Sequence, residues 1–344
     1  MRRSLLSMMA ACAAGALASC SGAAAPGGGM LSSANVLPLA RGQARAATLP
    51  SQLLFVPTEN GTIDIYPLAN PSQSGPVAQI TGLTAFQDGM DVDKSGDLFV
   101  VNNGPSGNDD YVSEFAPPYT GSPKVLSTTW QSELFYPIGV AVDSKGTVYV
   151  SSCGAYCLET PAIFVYPAGA TSPASRITSS DFNGLAGLTV DSKDNLYAVA
   201  WNDETFAADV FEIRAGSTTP KPLHLHGLDT GSGGNGVSLD SAGDIFVSAT
   251  SSGSNYVLEY RPHAHNAFRV IDTMPFLDEP LQLQVGPDGN LYVPVNCASA
   301  PCVGVYAFKP KGKKAFESIG SSSGLTDTFG VATAPNLQLE GSKR

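Results

Sequence analysis

The chain has 344 residues, 43% of them apolar, which is enough for one large domain or two ordinary ones with a hydrophobic core. Only 14% of the residues are charged, whereas the 36 glycines and 25 prolines exceed the usual share. This composition is typical of many short strands and turns. The net charge of −11 argues against a surface that neutralises phosphates, so no nucleic-acid partner is expected.

The first twenty residues have the pattern of a secretory signal. Two arginines at positions 2 and 3 precede an apolar stretch over residues 5–17 that is too short to span a bilayer. The sequence LASC that ends at Cys20 resembles a bacterial lipobox, whose cysteine is diacylated and becomes the first residue of the mature protein. An ordinary signal peptide with a chance cysteine is the alternative. We therefore expect a signal peptide over 1–19 and a lipid anchor at Cys20.

The segment 20–49 is rich in Ala, Gly, Ser and Pro and shows no sustained hydrophobic period. Such a composition predicts a flexible tether that connects the lipid anchor to the folded domain. The protein is then expected outside the cytoplasm, on the periplasmic or cell-surface side of a bacterial membrane.

From residue 50 onward one phrase recurs: Gly-x-x-Val-Asp, a polar turn, and an aromatic residue within an apolar strand. Its copies are GMDVDKSGDLFV from Gly89, GVAVDSKGTVYV from Gly139, GLTVDSKDNLYA from Gly187, GVSLDSAGDIFV from Gly236, the degenerate QLQVGPDGNLYV from Gln282 and a half-copy from Gly330. A period of about 48 residues is the length of one four-stranded unit.

Each unit contains residues that favour a turn between its first two strands. The phrase ends on an aspartate whose carboxylate is expected to brace the following turn, and a glycine takes the backbone angles that other residues resist. These residues are Asp93, Asp143, Asp191 and Asp240, with Gly96, Gly146, Gly243 and Gly289. A third strand is expected to end in an aromatic residue, at Phe115, Tyr166, Phe211, Tyr260 and Tyr306.

Four-stranded units of this length predict an all-β fold, a β-propeller in which each blade packs only against its neighbours. Five complete units start at residues 89, 139, 187, 236 and 282. The N-terminal strands, 53–56 and 63–66, belong to a sixth blade that lacks its Gly-x-x-Val-Asp strand. We predict a six-bladed β-propeller over 50–335, closed by pairing of 330–334 with 53–56 and followed by a tail over 336–344.

The repeat resembles NHL-repeat propellers and their six-bladed relatives. Because propellers of this class include lactonases, lyases, sensors and binding platforms, the fold alone does not choose a function. Loops that follow the second strands are expected to share the face of the channel mouth, and function on a rigid scaffold is usually found on such loops. They span residues 102–110, 152–161, 200–208, 249–255 and 295–302.

Four cysteines fall within the predicted domain, at Cys153, Cys157, Cys297 and Cys302. An even count in an exported protein favours disulfides. Cys153 and Cys297 follow the second strands of opposite blades, well beyond the roughly 7 Å limit for a disulfide. The remaining pairings are Cys153 with Cys157 and Cys297 with Cys302, and the same separation argues against a zinc site.

Two further patterns have structural explanations. The sequence GSGGNG at 231–236 fits a dinucleotide-binding motif but precedes a strand and not a helix, which indicates a loop. The histidines occur as two alternating pairs, His224 with His226 and His263 with His265. The first pair is expected near the variable face and the second at the opposite turn, one strand length away. Surface histidines without a joint site are therefore expected.

The residue before the motif glycine is expected at the channel mouth. There, Asp88-Gly89 and Asn235-Gly236 resemble the ligand positions of the gluconolactonase and regucalcin-like family, which hold a divalent cation. The resemblance implies Ca²⁺ or Mg²⁺ bound by oxygen ligands at Asp88 and Asn235. Asn102, Asn202, Asp203, Glu279 and Asn296 are the neighbours expected to complete a ligand site.

This resemblance is partial. The remaining mouth positions are Ile138, Ala186, Leu281 and Phe329, so the family's glutamate ligand is missing in register and Glu279 stands two residues away. The stretch VGPDGNLYV from Val285 is similar to streptogramin lyases, but their channel-mouth histidine has no counterpart. The alternative interpretation is that Asp88 and Asn235 brace turns.

Two classes of function therefore stay open. A monomeric, lipid-anchored binding platform in the cell envelope needs only a varied loop face, and its partner would be an envelope protein, a glycan or a small molecule. A metal-dependent lactonase or lyase needs three or four converging ligands and a base, of which the sequence provides at most two. We favour the binding platform over a gluconolactonase-like hydrolase.

Overall fold

The computed structural model describes residues 35–37, 49–58, 61–83, 86–104, 110–130, 133–134, 136–153, 160–201, 207–228, 232–251, 254–272, 279–296, 303–320, 325 and 328–336. These residues form six antiparallel sheets arranged as the blades of a ring, which confirms the predicted six-bladed β-propeller. Over the described ranges there is no helix both long and apolar enough to cross a bilayer.

Blade 1 joins the two ends of the domain. Its strands are β28 (Ala332–Ala334) innermost, then β2 (Leu53–Thr58), β3 (Thr62–Pro67) and β4 (Ala78–Thr81). A short helix, α1 (Pro71–Ser74), lies between β3 and β4. The pairing of Leu53 with Ala334 and of Phe55 with Ala332 closes the ring between the two predicted segments. Within the predicted tether, β1 (Asn35–Leu37) adds a fifth strand beside β4.

Blades 2 to 5 have four strands each, in the chain order expected of a propeller. Blade 2 consists of β5 (Phe86–Val92), β6 (Leu98–Asn103), β7 (Tyr111–Phe115) and β8 (Lys124–Leu126). A small hairpin of β9 (Thr129–Trp130) and β10 (Glu133–Leu134) follows. Blade 3 consists of β11 (Pro137–Val142), β12 (Val148–Ser152), β13 (Ala162–Tyr166) and β14 (Ser175–Ile177).

The next two blades repeat this arrangement. Blade 4 consists of β15 (Gly184–Val190), β16 (Leu196–Trp201), β17 (Ala208–Ile213) and β18 (Lys221–Pro222). Blade 5 consists of β19 (Ser232–Leu239), β20 (Ile245–Ser251), β21 (Ser254–Tyr260) and β22 (Arg269–Asp272). The hydrophobic core lies between neighbouring blades, as where Val101 of β6 shares a buried cluster with Val150 of β12.

Blade 6 has an interrupted inner strand. Its segments β23 (Glu279–Pro280) and β24 (Gln284–Val285) both pair with β25 (Leu291–Asn296), which continues to β26 (Gly304–Phe308) and β27 (Ala315–Gly320). The interruption contains Gln282, which replaces the glycine found at this position in every other blade. The degenerate repeat copy therefore corresponds to a local break in the strand.

The turns are braced as the sequence predicts. One carboxylate oxygen of Asp93 accepts hydrogen bonds from the backbone N–H of Ser95 at 2.8 Å and of Asp97 at 2.9 Å. The same pattern recurs at Asp143, Asp191 and Asp240. Gly96 follows at φ 90°, in the left-handed region that favours glycine.

Two of the predicted strand ends are wrong. The third strands of blades 4 and 6 end at Ile213 and Phe308, each two residues beyond Phe211 and Tyr306. The register fixes these ends, since Leu196 pairs with Ile213 and Leu291 with Phe308. Because residues two apart share a sheet face, the aromatic pattern identified the face but not the last residue.

The inner strands meet tightly around the propeller axis. The inner strands of blades 2 to 5 have a register shift at or directly beside the motif glycine. In five blades this glycine packs against the carbonyl that precedes the equivalent position of the next blade. A Cβ added at Gly89 would lie 2.7 Å from the Ile138 oxygen, and one added at Gly187 would lie 2.9 Å from the Asn235 oxygen. The glycines therefore allow a spacing that no other residue permits.

This ring of contacts runs through all six blades. The remaining pairs are Gly139 with the Ala186 oxygen, Gly236 with the Leu281 oxygen and Gly330 with the Asp88 oxygen, and the backbone N–H of Gln282 donates to the Phe329 oxygen at 3.2 Å. The Gln282 side chain turns inward, where its Oε1 lies 2.8 Å from the position that a Cβ of Gly89 would occupy. We call this circle of six contacting positions the axial ring; it consists of Gly89, Gly139, Gly187, Gly236, Gln282 and Gly330.

The axial ring predicts a strong effect for Gly139→Ala. The added methyl would lie 2.7 Å from the Ala186 oxygen and 2.9 Å from Ser151 Oγ, so either the bulge or the neighbouring blade must shift. We expect the free energy of unfolding to fall by about 2 kcal/mol or more, within or above the range for overpacked sites. Urea denaturation measures this change.

Gly121→Ala is the matched control. An added Cβ at Gly121 would have no neighbour within 4 Å, so a change of at most about 0.5 kcal/mol is expected. Equal effects of the two substitutions would contradict the axial ring as a packing constraint.

Candidate functional site

The channel mouth is formed by the six residues that precede the axial ring. Asp88, Ile138, Asn235, Leu281 and Phe329 are half-buried, and Ala186 is buried. Five of their backbone carbonyls pack against a glycine of the preceding blade, and the Phe329 carbonyl accepts a hydrogen bond from the N–H of Gln282. The mouth is therefore a mainly apolar surface with one carboxylate and one carboxamide.

Asp88 has a polar neighbour that the sequence did not single out. The Asn103 amide donates a hydrogen bond to Asp88 Oδ2. Burial raises the pKa of the Tyr136 hydroxyl above its usual range, and the charges of Asp88 and Asp110 raise it further. Tyr136 thus stays neutral between two carboxylates. Asp88 therefore lies beside the buried Asn103 and near enough to Tyr136 for its charge to act on the hydroxyl.

Asn235 supports the backbone of the next blade. Its side-chain amide donates to the Pro280 carbonyl at 3.0 Å, which connects blade 5 to the interrupted inner strand of blade 6. This hydrogen bond joins two blades, so it differs from the turn bracing that is the predicted alternative to metal binding. The Asn235 amide oxygen would be the atom available to a ligand.

Asn102 does not lie beside Asp88. It is fully buried within blade 2, where its Nδ2 donates to the Val100 carbonyl at 3.0 Å and to Ser113 Oγ at 3.1 Å. Adjacent residues of a strand point to opposite faces, so Asn103, one position later, is the residue that reaches Asp88. The alternation of β6 in the sequence is the signal that would have distinguished them.

The remaining predicted site residues are only partly described. Glu279 pairs in register with Asn296 at the end of blade 6, but the side chain of Glu279 lies outside the described structure. Asn202, Asp203 and most of the five predicted loops also lie outside it. Across the described positions, no three or more His, Cys, Asp or Glu side chains are grouped as a metal site.

The predicted cysteine roles stay predictions. Cys153 is buried at the end of the second strand of blade 3, whereas Cys157, Cys297 and Cys302 lie outside the described residues. Cys20 and the signal region also lie outside the described residues. The two disulfide pairings and the lipid anchor therefore remain predictions.

On the other side of the axial ring, side chains near the axis connect each of three blades to the next one. The position two residues after the motif glycine supplies the acceptor, and a backbone N–H of the next blade is the donor. The Val142 N–H donates to Asp91 at 2.8 Å, the Val285 N–H to Ser238 at 3.0 Å and the Thr333 N–H to Gln284 at 2.6 Å. These hydrogen bonds tie blade 2 to 3, 5 to 6 and 6 to 1.

Asp91 is the one carboxylate among these three acceptors. It also accepts from the Val92 N–H at 2.9 Å and from Asn336 Nδ2 at 2.6 Å, so the first residue of the predicted tail is held against the axis. Burial raises the pKa of the Asp91 carboxyl from 3.8 to about 7, although these three hydrogen bonds oppose the shift. The group therefore changes charge near neutral pH.

The expected separation of the histidine pairs is wrong. The His226 N–H donates to the His265 carbonyl at 2.7 Å, and their ring centroids are 6.2 Å apart. The outer segment of blade 4 contacts the turn between the third and fourth strands of blade 5. The equivalent contact between blades 2 and 3 is the hydrogen bond from the Ser127 N–H to the Thr171 carbonyl. Blade twist brings together elements that a flat drawing of the blades places at opposite ends.

Comparison with known proteins supports the fold and no further assignment. No protein-family model matches the chain, and no curated protein matches its sequence. A chain of the nidogen/laminin complex is similar at a TM-score of 0.60 and 16% identity, over 82% of this chain and 98% of that one. A Bacteroides caccae protein of unknown function is similar at a TM-score of 0.58 and 10% identity, over 83% of this chain and 100% of that one.

An enzyme is also among the similar structures. A gluconolactonase from Xanthomonas campestris is similar at a TM-score of 0.53 and 15% identity, over 72% of this chain and 78% of that one. These likenesses confirm the resemblance to NHL-type and gluconolactonase-type six-bladed propellers. At such identities they establish the fold alone.

Asp91 predicts a specific pH dependence of stability. Its folded pKa of about 7 exceeds the unfolded value, so the folded state binds the extra proton and stability falls as pH rises from about 4 to about 7. The limiting slope is about 1.4 kcal/mol per pH unit. Asp91→Asn removes the contribution of this carboxyl to the pH dependence. The free energy of unfolding of the variant, measured by urea denaturation, should therefore rise relative to that of the wild type as pH rises.

An exposed carboxylate provides the control for this measurement. Asp181→Asn changes a surface aspartate, so its stability should run parallel to that of the wild type over the same pH range. Parallel curves for the wild type and Asp91→Asn would show that Asp91 does not titrate near neutral pH.

Proposed function

We propose that the protein is a binding platform, exported and lipid-anchored in a bacterial cell envelope, whose ligand binds at the channel mouth. The observation that supports this most directly is the closed axial ring beneath the mouth. A continuous ring of backbone contacts holds the six mouth residues at fixed positions. Preformed concave surfaces with a few placed polar groups are typical ligand sites.

The chemistry of the mouth suggests the ligand class. Ile138, Leu281 and Phe329 offer half-buried apolar surface, and Asp88 adds a carboxylate at one side. The Asn103 amide donates a hydrogen bond to Oδ2 of this carboxylate, which holds the Asp88 side chain in place. A ligand with an apolar body and one cationic group would bury apolar area and pair its charge with Asp88.

A divalent-metal-dependent lactonase or lyase is the second candidate. It is favoured by one observation, that the charges of Asp88 and Asp110 both act on the Tyr136 hydroxyl, so both carboxylates lie within electrostatic range of that group. Two carboxylates with Asn103 are oxygen ligands of the kind that Ca²⁺ and Mg²⁺ prefer. The binding platform is the better supported of the two because four of the six mouth positions, Ile138, Ala186, Leu281 and Phe329, have only carbon in their side chains. Such side chains do not ligate a cation, but they can bury apolar area of a ligand.

Export and anchoring rest on the N-terminal sequence. The two arginines, the short apolar stretch and LASC at 17–20 form a signal of the lipoprotein type. The segment from Cys20 to residue 49 would then place the propeller at the membrane surface while leaving the mouth free to bind an envelope protein, a glycan or a small molecule.

The first test measures ligand class with two matched probes, 1-aminohexane and hexanoate. They share an apolar chain and carry opposite charges, so only the amine should bind at the mouth. At ten times its dissociation constant, the amine should raise the melting temperature of the wild type by roughly 3 °C or more. Asp88→Asn should lose this shift, and Asp181→Asn should retain it.

Two results would decide against parts of this proposal. Equal shifts with both probes, or an undiminished amine shift in Asp88→Asn, would show that the carboxylate does not select the ligand. If millimolar CaCl₂ or MgCl₂ stabilises the wild type by several degrees but leaves Asp88→Asn unchanged, the metal-dependent candidate replaces the platform.

The lipid anchor has its own test. Cells that express the full chain are labelled with a clickable fatty acid, and the protein is examined for incorporation. Labelling is expected for the wild type and should be absent from Cys20→Ala, whereas Cys12→Ala, a substitution within the signal region, should be labelled normally. Labelling that persists in Cys20→Ala would exclude the assignment of the anchor to this cysteine.

A further inference from the structure

All four histidines of the chain fall at one boundary between blades. His224 and His226 belong to the outer segment of blade 4, and His263 and His265 belong to the turn before β22 of blade 5. The two segments are held together by the hydrogen bond from the His226 N–H to the His265 carbonyl and by the Tyr260 hydroxyl, which donates to the His226 carbonyl at 2.9 Å. Backbone contacts therefore fix their relative position.

The rings of His226 and His265 form an exposed pair. Their centroids are 6.2 Å apart and their planes are tilted by 32°. Both residues are exposed, so water and small ions reach the rings. Two imidazoles at this separation can place a nitrogen each on one ion by small rotations of their side chains.

Hydrogen bonds at Nδ1 determine which nitrogens are available. His265 Nδ1 lies 2.8 Å from the Leu223 carbonyl, and His226 Nδ1 lies 3.0 Å from Asn266 Oδ1. Because both partners are acceptors, each neutral ring bears its proton on Nδ1 and has a lone pair on Nε2. Histidines that ligate metals usually donate their other ring N–H to a carbonyl or carboxylate in this manner.

We propose that His226 and His265 form a transition-metal site between blades 4 and 5, which binds Zn²⁺, Cu²⁺ or Ni²⁺ through the two Nε2 atoms. Imidazole nitrogen is a preferred ligand of all three ions. The site is distinct from the channel mouth and does not depend on its function. The pair provides two ligands, and the remaining coordination positions are open to water or to a ligand.

The surroundings of the pair leave room for those further ligands. A cavity of about 390 Å³ adjoins His226 and is also lined by Trp201, Asp209 and His224. His224 Nδ1 lies 3.6 Å from Asp209 Oδ2, so a second imidazole and a carboxylate border the same space. A bound metal would connect blades 4 and 5 at their outer edge and would stabilise the folded state by mass action.

The test is isothermal titration of the untagged full chain with NiCl₂ and, separately, ZnCl₂. We expect one ion per chain with a dissociation constant in the micromolar range. His226→Asn and His265→Asn should each weaken binding by at least about tenfold, since even the outer partners of ligating histidines are worth 10- to 100-fold. The double variant should show no binding above background.

His263→Asn is the matched control, because it changes a histidine of the same turn and asparagine tolerates the left-handed backbone at φ 63°. It should bind metal as the wild type does. Melting temperatures without metal show whether each variant is folded, since the inter-blade hydrogen bonds described use backbone atoms of His226. Dissociation constants weaker than about 1 mM for the wild type, or undiminished binding by the double variant, would overturn the proposal.

Discussion

The close approach of backbone around the axis is the constraint on which the rest of the molecule depends. At five of six positions the inner strand presents a glycine to the carbonyl of the next blade, and Gly139 has no room for a β carbon. This requirement explains why the repeat phrase begins with glycine, at or beside which the inner strands of blades 2 to 5 shift register. It also explains why blade 6, with Gln282 in place of glycine, has a broken inner strand.

The axial ring separates two aspartates with different surroundings. Asp88, directly before Gly89, is half-buried, and the Asn103 amide donates to its Oδ2. Asp91, two residues after Gly89, is 6% exposed and accepts hydrogen bonds from the Val142 N–H of blade 3 and from Asn336 Nδ2. Because it is buried, the second carboxylate connects blades, and its titration changes the stability of the fold.

The repeat made the fold predictable, because blade number, ring closure and turn chemistry follow from the spacing of one phrase. The site was less predictable because it depends on which face each residue occupies and on how blades twist. A one-residue difference separates buried Asn102 from Asn103, which reaches Asp88. The proximity of His226 to His265 arises from twist between blades, which sequence spacing does not encode.

Native-state hydrogen exchange at the axis tests the closed ring most directly. The N–H groups of Val142, Val285 and Thr333 lie at three different blade boundaries, and each donates to a side chain of the preceding blade. A ring with no free end opens at any boundary only by losing its contacts elsewhere, so the three amides should exchange with one common free energy, equal to that of global unfolding. Exchange of Thr333 through a separate opening of much lower free energy would contradict the closed ring.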